Sequence, residues 1–350
     1  MAQVQFIDEV SLQPIPSVNV YHQKGNLIGF STKEGILEFI PEGKAKISYP
    51  LQIHVQHVSY ENATLQIANE NDKKTIRLKP RANVLPEIVM NKPDAAFVCI
   101  RGYFRSLETY NLEHKYFADG IMEFYIPLKK GRVKYKLLDY RVYRDSAVVK
   151  EYNEKMGPFF QAPRVVDIAA GKMLDRLTKL QQIETSDSSI SLQKKNSEVG
   201  HVLIAKSQNS LSFYQDEVLP DTVRFQKIFR LEAKIRHAAS IENYASTSLN
   251  TVSAKDLQNV YQLITGSIKR KAEFGHIPYE VINEFYVMDR SFLSESAYKK
   301  IESELTKNVY KVPAHSRYKE RFWENLTPYD IAPINQGLAT QLGKNLKLVN

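Results

Sequence analysis

From Val4 to Leu78 the chain alternates apolar and polar residues in short runs, broken by turn residues roughly every ten positions. Val18 and Val20, then Ile28 and Phe30, are β-prone runs flanking the polar turn Gln23-Lys24-Gly25-Asn26, and they predict a hairpin. Lys33-Glu34-Gly35 predicts a second reversal, because glycine takes the left-handed backbone that a tight turn needs. In the next run Leu37 and Phe39 share one strand face, and Ile36, Glu38 and Ile40 share the other. Glu38 marks its own face as wet, so Leu37 and Phe39 are expected in the core. Pro41-Glu42-Gly43 turns the chain again. Ala45-Ile47-Tyr49, Ile53-Val55-His57 and Leu65-Ile67 keep the period of two, and residues 75–78 close it. Pro14 and Pro16 precede the first long strand, where a missing N–H costs no ladder bond. The pattern predicts a small antiparallel β-sandwich over residues 1–90.

Residues 91–350 read as a larger β-rich α+β domain, entered through a linker from Pro86 to Pro93. Residues 97–107, 116–127 and 132–144 predict long aromatic strands. Val166, Ala169 or Ala170, Met173, Leu177 and Leu180 recur at three- and four-residue spacing and predict a helix. The Ser-, Gln- and Lys-rich stretch 181–197 reads as a mobile loop or a weak edge strand. Strand patterning returns at 201–205, 211–214, 224–231 and 234–244. Ser253 with Asp256 forms a capping-box signal for a short helix through Leu257, Val260, Tyr261 and Ile264. Residues 267–274 and 279–289 predict a hairpin about Gly275-His276-Ile277-Pro278. Ser294 caps a last helix carrying Ala297, Ile301 and Leu305. The tail with Phe322-Trp323, Pro328 and Pro333 is expected to wrap as irregular chain. The expected architecture is mainly β: a transthyretin-like sandwich followed by a large curved sheet or open half-barrel, packed on one face by helices.

The first stretch also resembles a known module. Pro14-Ile15-Pro16 with Val18, Val20 and Tyr21, then Gly29-Phe30, Gly35 and Phe39, then Ile47-Ser48-Tyr49, then Val55, Val58-Ser59-Tyr60-Glu61 are similar to the carboxypeptidase regulatory-like domain. Residues 76–80 and 84–89 resemble that family's last strand and exit linker. Ser59 stands where many members carry glycine. The resemblance covers about the first quarter of the chain and implies a transthyretin-like sandwich in an envelope or secreted protein of Gram-negative bacteria. It implies no activity, because the module accompanies peptidases, receptors and other proteins alike. Residues 116–127 and 321–325 resemble segments that follow the module in some envelope proteins, again with no chemistry attached.

Composition changes little: 43% hydrophobic and 25% charged residues describe an ordinary globular chain of 350 residues, long enough for two cores. No apolar run reaches the length of a membrane helix. The start Met1-Ala2-Gln3, with strand pattern beginning at once, is what removal of a signal peptide would leave. The expected location is therefore periplasmic, outer-membrane-associated or secreted; a native N-terminus would instead mean a cytoplasmic protein. No lipobox cysteine supports lipid anchoring.

Charge is uneven. Residues 1–90 carry nine basic and nine acidic side chains, so the whole excess of +9 falls beyond them. The densest cluster is Lys129, Lys130, Arg132, Lys134 and Lys136, around a turn at Lys130-Gly131. Arg132, Lys134 and Lys136 would share one strand face and form a candidate patch for phosphate or an anionic headgroup. The alternative is a solvated outer face that discourages edge pairing.

The search for chemistry is mostly negative. None of the eight histidines is followed three residues later by glutamate, as a zinc carboxypeptidase requires. There is no His-Glu-x-x-His helix, no Gly-x-Ser-x-Gly elbow and no phosphate-cradling glycine loop. Ser191/Lys194, Ser296/Lys299 and Ser316/Lys319 match Ser-x-x-Lys, as chance allows in a chain rich in both. His54 and His57 would point to opposite strand faces. Asp119, Glu123, Asp139 and Asp145 show no acid–base spacing. Cys99, the one cysteine, lies in an apolar run and reads as a small buried residue. No catalytic, cofactor or metal residue is assigned.

The leading expectation is a non-catalytic envelope protein that binds a partner protein, glycan or lipid through its second domain. The alternatives are a carrier of hydrophobic ligands, using a concave face rich in Tyr and Phe, and a hydrolase of unrecognised type. Nucleic-acid binding would use Lys134-Tyr135-Lys136 but has no recognition motif.

Overall fold

The computed structural model describes residues 3–40, 47–81, 94–157, 162–178, 180–186, 188–218, 225–228, 230–270, 275–311, 313–329 and 331–350. The expected turn at 41–43, Ala45, residues 84–89 and the linker 86–93 lie outside them. The fold is mainly β, with large antiparallel sheets and few helices.

Five N-terminal strands form one sheet in the order β4 (Leu37–Phe39), β3 (Leu27–Ser31), β2 (Asn19–His22), β5 (Leu51–His57) and β6 (Tyr60–Ile67). Against it lies a two-stranded sheet of β1 (Gln3–Asp8) and β7 (Lys73–Leu78). That second sheet is parallel, not antiparallel as the hairpin pattern suggested, because its strands come from opposite ends of the module. Val4, Phe6, Val18, Val20, Ile28, Ile53, Val55 and Leu78 fill the space between the two. Leu37 and Phe39 are buried and Glu38 is exposed, as the alternation required.

The rest of the chain builds one twelve-stranded sheet. Toward one end of it lie β8 (Ala95–Tyr110), β9 (Glu113–Pro127) and β10 (Lys134–Arg144). One outer part comprises β11 (Gln181–Ser186), β12 (Ser189–Lys194), β13 (Ser197–Ala205) and β14 (Ser210–Val218). The remainder is β15 (Phe225–Ile228), β16 (Leu231–Tyr244), β17 (Leu257–Lys269), β18 (Ile277–Ser294) and β19 (Lys347–Leu348). The order runs β11-β12-β13-β14-β16-β17-β18-β8-β9-β10-β19, with β15 paired to β16.

Helices are short: α1 (Ser146–Lys155), α2 (Met173–Leu177), α3 (Glu295–Ile301) and α4 (Gln336–Gln341). The sequence reading lacked α1, although Asp145 caps it by accepting the Ala147 and Val148 N–H groups at 2.9 and 3.1 Å. The helix expected over 166–180 shrinks to α2. Residues 162–172 instead form an extended strap whose backbone bonds to the sheet: the Gln262 amide accepts from Asp167 N–H at 2.9 Å and donates to Asp167 C=O at 3.1 Å. With those groups satisfied outside a helix, the apolar spacing serves burial of Val165, Val166 and Ile168. The capping box at Ser253 and Asp256 is present, but only one 3₁₀ turn follows before β17. Leu257, Val260, Tyr261 and Ile264 belong to a strand with apolar residues on both faces, and a filled two-face pattern mimics helical spacing.

The sheet is covered on both faces, and not by helices alone. On the first face Tyr103, Leu107, Phe117, Ile121, Tyr261 and Tyr286 pack beneath Tyr21, Leu27 and Val58 of the module and Phe322, Ala332 and Leu338 of the tail. On the second face Phe104, Met122, Phe124, Val260 and Phe285 pack beneath Val165, Val166 and Ile168 of the strap and Leu177 of α2. Module and sheet are joined by polar contacts too. Asn19 Nδ2 donates to Tyr261 Oη at 2.6 Å, and the Phe30 and His237 rings meet edge-to-face at 4.0 Å. Gly25 (φ +86°) and Gly337 bring the module's hairpin turn and α4 so close that a Cβ on either would lie within 2.7 Å of the other's backbone neighbourhood.

Arg105 anchors the tail. Buried beneath it, the guanidinium pairs with Glu284 and donates to Ala332 C=O at 2.6 Å and Tyr286 Oη at 2.9 Å. Replacing Arg105 by Met leaves the Glu284 carboxylate buried without its cation, and urea denaturation should show a loss of about 3–5 kcal/mol. Adding Glu284→Leu should recover most of it; a double variant as weak as the single one would mean that the tail contact, not the ion pair, carries the effect.

Candidate functional site

Strand register sets the site. On the first face, Ser191, His201, Tyr214, Ile241, Tyr261, Glu284, Arg105, Asp119 and Arg141 are successive cross-strand neighbours from β12 to β10. The next row runs Ser189, Leu203, Ser212, Asn243, Asn259, Tyr286 and Tyr103. The module covers the middle of both rows. Towards β12 its cover ends, and the rows change from aromatic to hydroxyl and amide side chains.

There a cleft of about 790 Å³ opens between the outer strands and the module. Its floor includes Ser191, His201, Ser212, Tyr214 and Asn243, and its opposite wall includes Asp8, Pro14, Pro16 and Tyr60. The floor is rigid. Asn243 Nδ2 donates to Ser59 Oγ at 2.8 Å and to Asn259 Oδ1 at 2.6 Å, while Ser212 Oγ donates to Asn243 Oδ1 at 2.6 Å. His201 stacks on Tyr214 with centroids 4.6 Å apart and planes 11° from parallel. On the wall, Tyr60 Oη donates to Asp8 Oδ2 at 2.9 Å, and Asp8 Oδ1 accepts from Val10 and Ser11 N–H. Lys33 and Glu198 pair across the mouth at 3.0 Å. The result is a trough of mixed lining, in which serine and asparagine side chains alternate with apolar ones such as Pro14, Pro16 and Leu203, with a stacked ring pair in its floor.

The expected site residues lie elsewhere. Lys129, Lys130 and Arg132 are exposed in the loop between β9 and β10. Lys134 is matched by Glu302 at 2.7 Å and Lys136 by Glu304, so two of the five cations are neutralised by the turn after α3. Arg132 precedes the strand and does not extend the Lys134–Lys136 face. Tyr135 is buried on the opposite face, so Lys134-Tyr135-Lys136 offers no exposed basic–aromatic surface. Ser191 Oγ is buried without a hydrogen bond, and Lys194 belongs to the lining of the other sheet face, so they form no dyad. Ser316 Oγ donates to Val349 C=O at 2.6 Å, and Ser296 Oγ lies 3.0 Å from Ser294 Oγ. His54 bonds Thr64 at 2.9 Å, while His57 is buried against Tyr60 and Tyr214.

The four carboxylates are each committed: Asp119 to Arg141 and Tyr103, Glu123 to Tyr125, Asp139 to Lys319 N–H, Asp145 to its helix. Burial pushes the Cys99 thiol up to about 12, which makes it a poor nucleophile. Among the described residues no group of three or more His, Cys, Asp or Glu could hold a metal, and no helix is long and apolar enough to cross a membrane. His201, Ser212, Tyr214 and Asn243 fall on strands that the sequence predicts, but no local pattern sets them opposite the module; the stretch 181–197 holds edge strands and not a loop, and Ser189 and Ser191 of β12 line the cleft from it. Their period-two spacing on an edge hairpin was the available signal.

No family model matches the chain, and no curated protein is similar to it. Among solved structures it is similar to one described as "lipid-protein interactions in lipovitellin", at 9% identity and a TM-score of 0.28. The match covers 64% of this chain and 28% of that one, and at this level it fixes neither fold nor ligand.

Two titratable groups on this face bear on stability. Burial lowers His57 to about 3, and burial raises Glu280, whose Oε1 has no partner, to about 8. His57 is neutral when folded, so its contribution is full above its unfolded value of 6.5 and declines as pH falls toward 3. Glu280 is protonated when folded, so its contribution is full below 4.5 and declines as pH rises toward 8. The two slopes cancel between 4.5 and 6.5, and above 6.5 that of Glu280 remains at about 1.4 kcal/mol per pH unit. Denaturation midpoints of Glu280→Gln should therefore exceed those of the parent increasingly from pH 6.5 to 8. A parallel pair of curves across that window would count against a protonated Glu280.

Proposed function

We propose that the chain is a non-catalytic cell-envelope protein that holds a glycan in the cleft between its N-terminal module and β12–β14. The observation that carries this reading is the chemistry of the trough. Its floor and walls present hydroxyl and amide groups and a stacked His201–Tyr214 pair, which suits a ligand with many hydroxyls and weakly apolar ring faces. An acyl chain would need a continuous apolar lining; here Val10, Pro14, Pro16, Leu203 and Ile204 are interrupted by Ser189, Ser191 and Ser212, and the Tyr- and Phe-rich part of this face is already buried under the module and tail. A buried catalytic group is not needed for such binding, and several charged groups of the cleft are engaged, Asp8 with Tyr60 and Lys33 with Glu198.

What supports an envelope setting is the resemblance of residues 1–90 to the carboxypeptidase regulatory-like module, whose two-layered arrangement of short strands is compatible with the sheets β4-β3-β2-β5-β6 and β1-β7. In this reading the module does more than accompany the second domain. It supplies one wall of the binding cleft.

The test is native mass spectrometry of protein purified from a bacterial envelope, followed by calorimetric titration with cello-, chito-, manno- and xylo-oligosaccharides. A carbohydrate adduct, or saturable binding weakened about tenfold in His201→Ala, is the expected result; the loss corresponds to about one well-placed contact. A stoichiometric lipid adduct, with no oligosaccharide bound, would replace the glycan reading with the carrier reading.

A further inference from the structure

The second face of the sheet holds a different arrangement of polar groups. Gln215, Ser240, Gln262, Asn283 and Ser106 are successive cross-strand neighbours on β14, β16, β17, β18 and β8. A straight row of five hydroxyl and amide side chains is unusual on a face otherwise packed with Phe, Val and Met, because each buried polar group must find a partner. Gln262 is fully engaged by the strap, and Asn283 Nδ2 donates to Pro163 C=O at 3.3 Å. Asn283 Oδ1, Ser240 Oγ and Ser106 Oγ, however, are buried with no partner in the protein. Asn283 is 2% exposed and Ser106 is fully buried.

Ser240 and Asn283, though not Ser106, border a cavity of about 340 Å³, lined by Ser240, Gln262 and Asn283 on the sheet side and by Asp167, Leu180 and Tyr310 on the other. We propose that this cavity is a second binding site, for one small uncharged polyhydroxyl molecule such as a single sugar ring or polyol. The volume lies at the small end of ligand pockets, which run from about 300 to 1,000 Å³. It is too small for a glycan chain. Asn283 Oδ1 accepts a ligand hydroxyl, Ser240 Oγ donates or accepts, and Tyr310, 46% exposed, offers a ring wall. The charged neighbours argue against an ionic ligand. Asp167 and Lys194 both belong to the lining, with opposite signs, and the nearby Glu242 is paired with Arg176 at 2.6 Å. Burial and Glu242 also raise the Asp167 carboxyl, so an anion would meet a site already unfavourable to negative charge.

This site is independent of the cleft: it lies on the opposite face and shares no residue with it. Ligand-observed saturation-transfer NMR on the full chain, with D-glucose, D-galactose, N-acetyl-D-glucosamine, glycerol and myo-inositol as probes, tests it. Ser240→Val keeps a shape suited to a strand, and Tyr310→Ala alters an exposed side chain, so both should fold. The expected result is saturable binding of at least one probe, weakened about tenfold by each variant and unchanged by His201→Ala. Absence of saturable binding by every probe, or binding indifferent to Ser240→Val and Tyr310→Ala, would overturn the proposal. Binding lost in His201→Ala alone would assign the probe to the cleft and equally overturn it.

Discussion

The structure depends on one constraint: a twelve-stranded antiparallel sheet whose central strands are apolar on both faces must be covered twice. An antiparallel sheet commonly leaves one face wet. Here β8, β9, β17 and β18 cannot, and the covers come from parts of the chain remote in sequence. The module and the tail meet on one face, and the strap with α2 lies on the other. The module is held by Asn19 on Tyr261 and Asn243 on Ser59, whereas the tail, the strap and α2 are each fastened to the sheet by an arginine. Arg105 and Arg141 hold the tail, through Ala332 C=O and through the Trp323 ring at 4.0 Å. Arg164 ties the strap to Glu108 at 2.5 Å, and Arg176 ties α2 to Glu242.

Such pairs are poor sources of net stability, because desolvating two charges offsets much of their attraction. Their value lies in register. An apolar cover can slide over an apolar sheet at little cost, whereas an arginine with fixed partners on one strand cannot. Lys115 joins Glu108 from the neighbouring strand at 2.9 Å, so the Arg164 contact is locked from two sides. Part of the chain's basic excess is thus structural. Lys134 and Lys136 are matched by the glutamates after α3, and Lys129, Lys130 and Arg132 are among the exposed cations.

Much of this was legible in the sequence, and the failures have physical causes. Leu37, Glu38 and Phe39 report their faces correctly because β4 packs on one side only. The hairpin about Gly25 was readable from its turn residues, although the reason for glycine there, the close approach of Gly337, is tertiary. Leu257 to Ile264 misled because burial on both faces erases the period of two. Val166 to Leu180 misled for the opposite reason: an extended strap can meet apolar surface at any spacing once side chains such as Gln262 satisfy its backbone. The basic cluster looked like a site because its acidic partners, Glu302 and Glu304, lie some 170 residues away in sequence, roughly the separation at which no local pattern reports a contact. The strands of the cleft floor were legible, but their meeting with Asp8, Pro14 and Tyr60 is tertiary and leaves no local pattern.

The same constraint bears on where the two proposed sites lie. Both covers thin out over the outer strands: α2 still meets Phe213 of β14 through Arg176, and the module still meets Tyr214 through His57. On the first face the row from Tyr261 through Ile241 continues through Tyr214 at the module's edge to His201 and Ser191. On the second face the row from Asn283 meets the strap at Gln262 and continues beyond it as Ser240 and Gln215. In both, side-chain chemistry turns polar where the cover stops, yet the strands stay paired and hold those groups at fixed spacing. A sheet that is core in its middle and unroofed at one side therefore supplies rigid, regularly spaced hydrogen-bonding groups at the rim of each cover. Several buried hydroxyl and amide groups without a partner among the described residues, Ser240 on β16, Asn283 on β18, Ser106 on β8 and Ser191 on β12, lie on the sheet and not in the exposed basic loop.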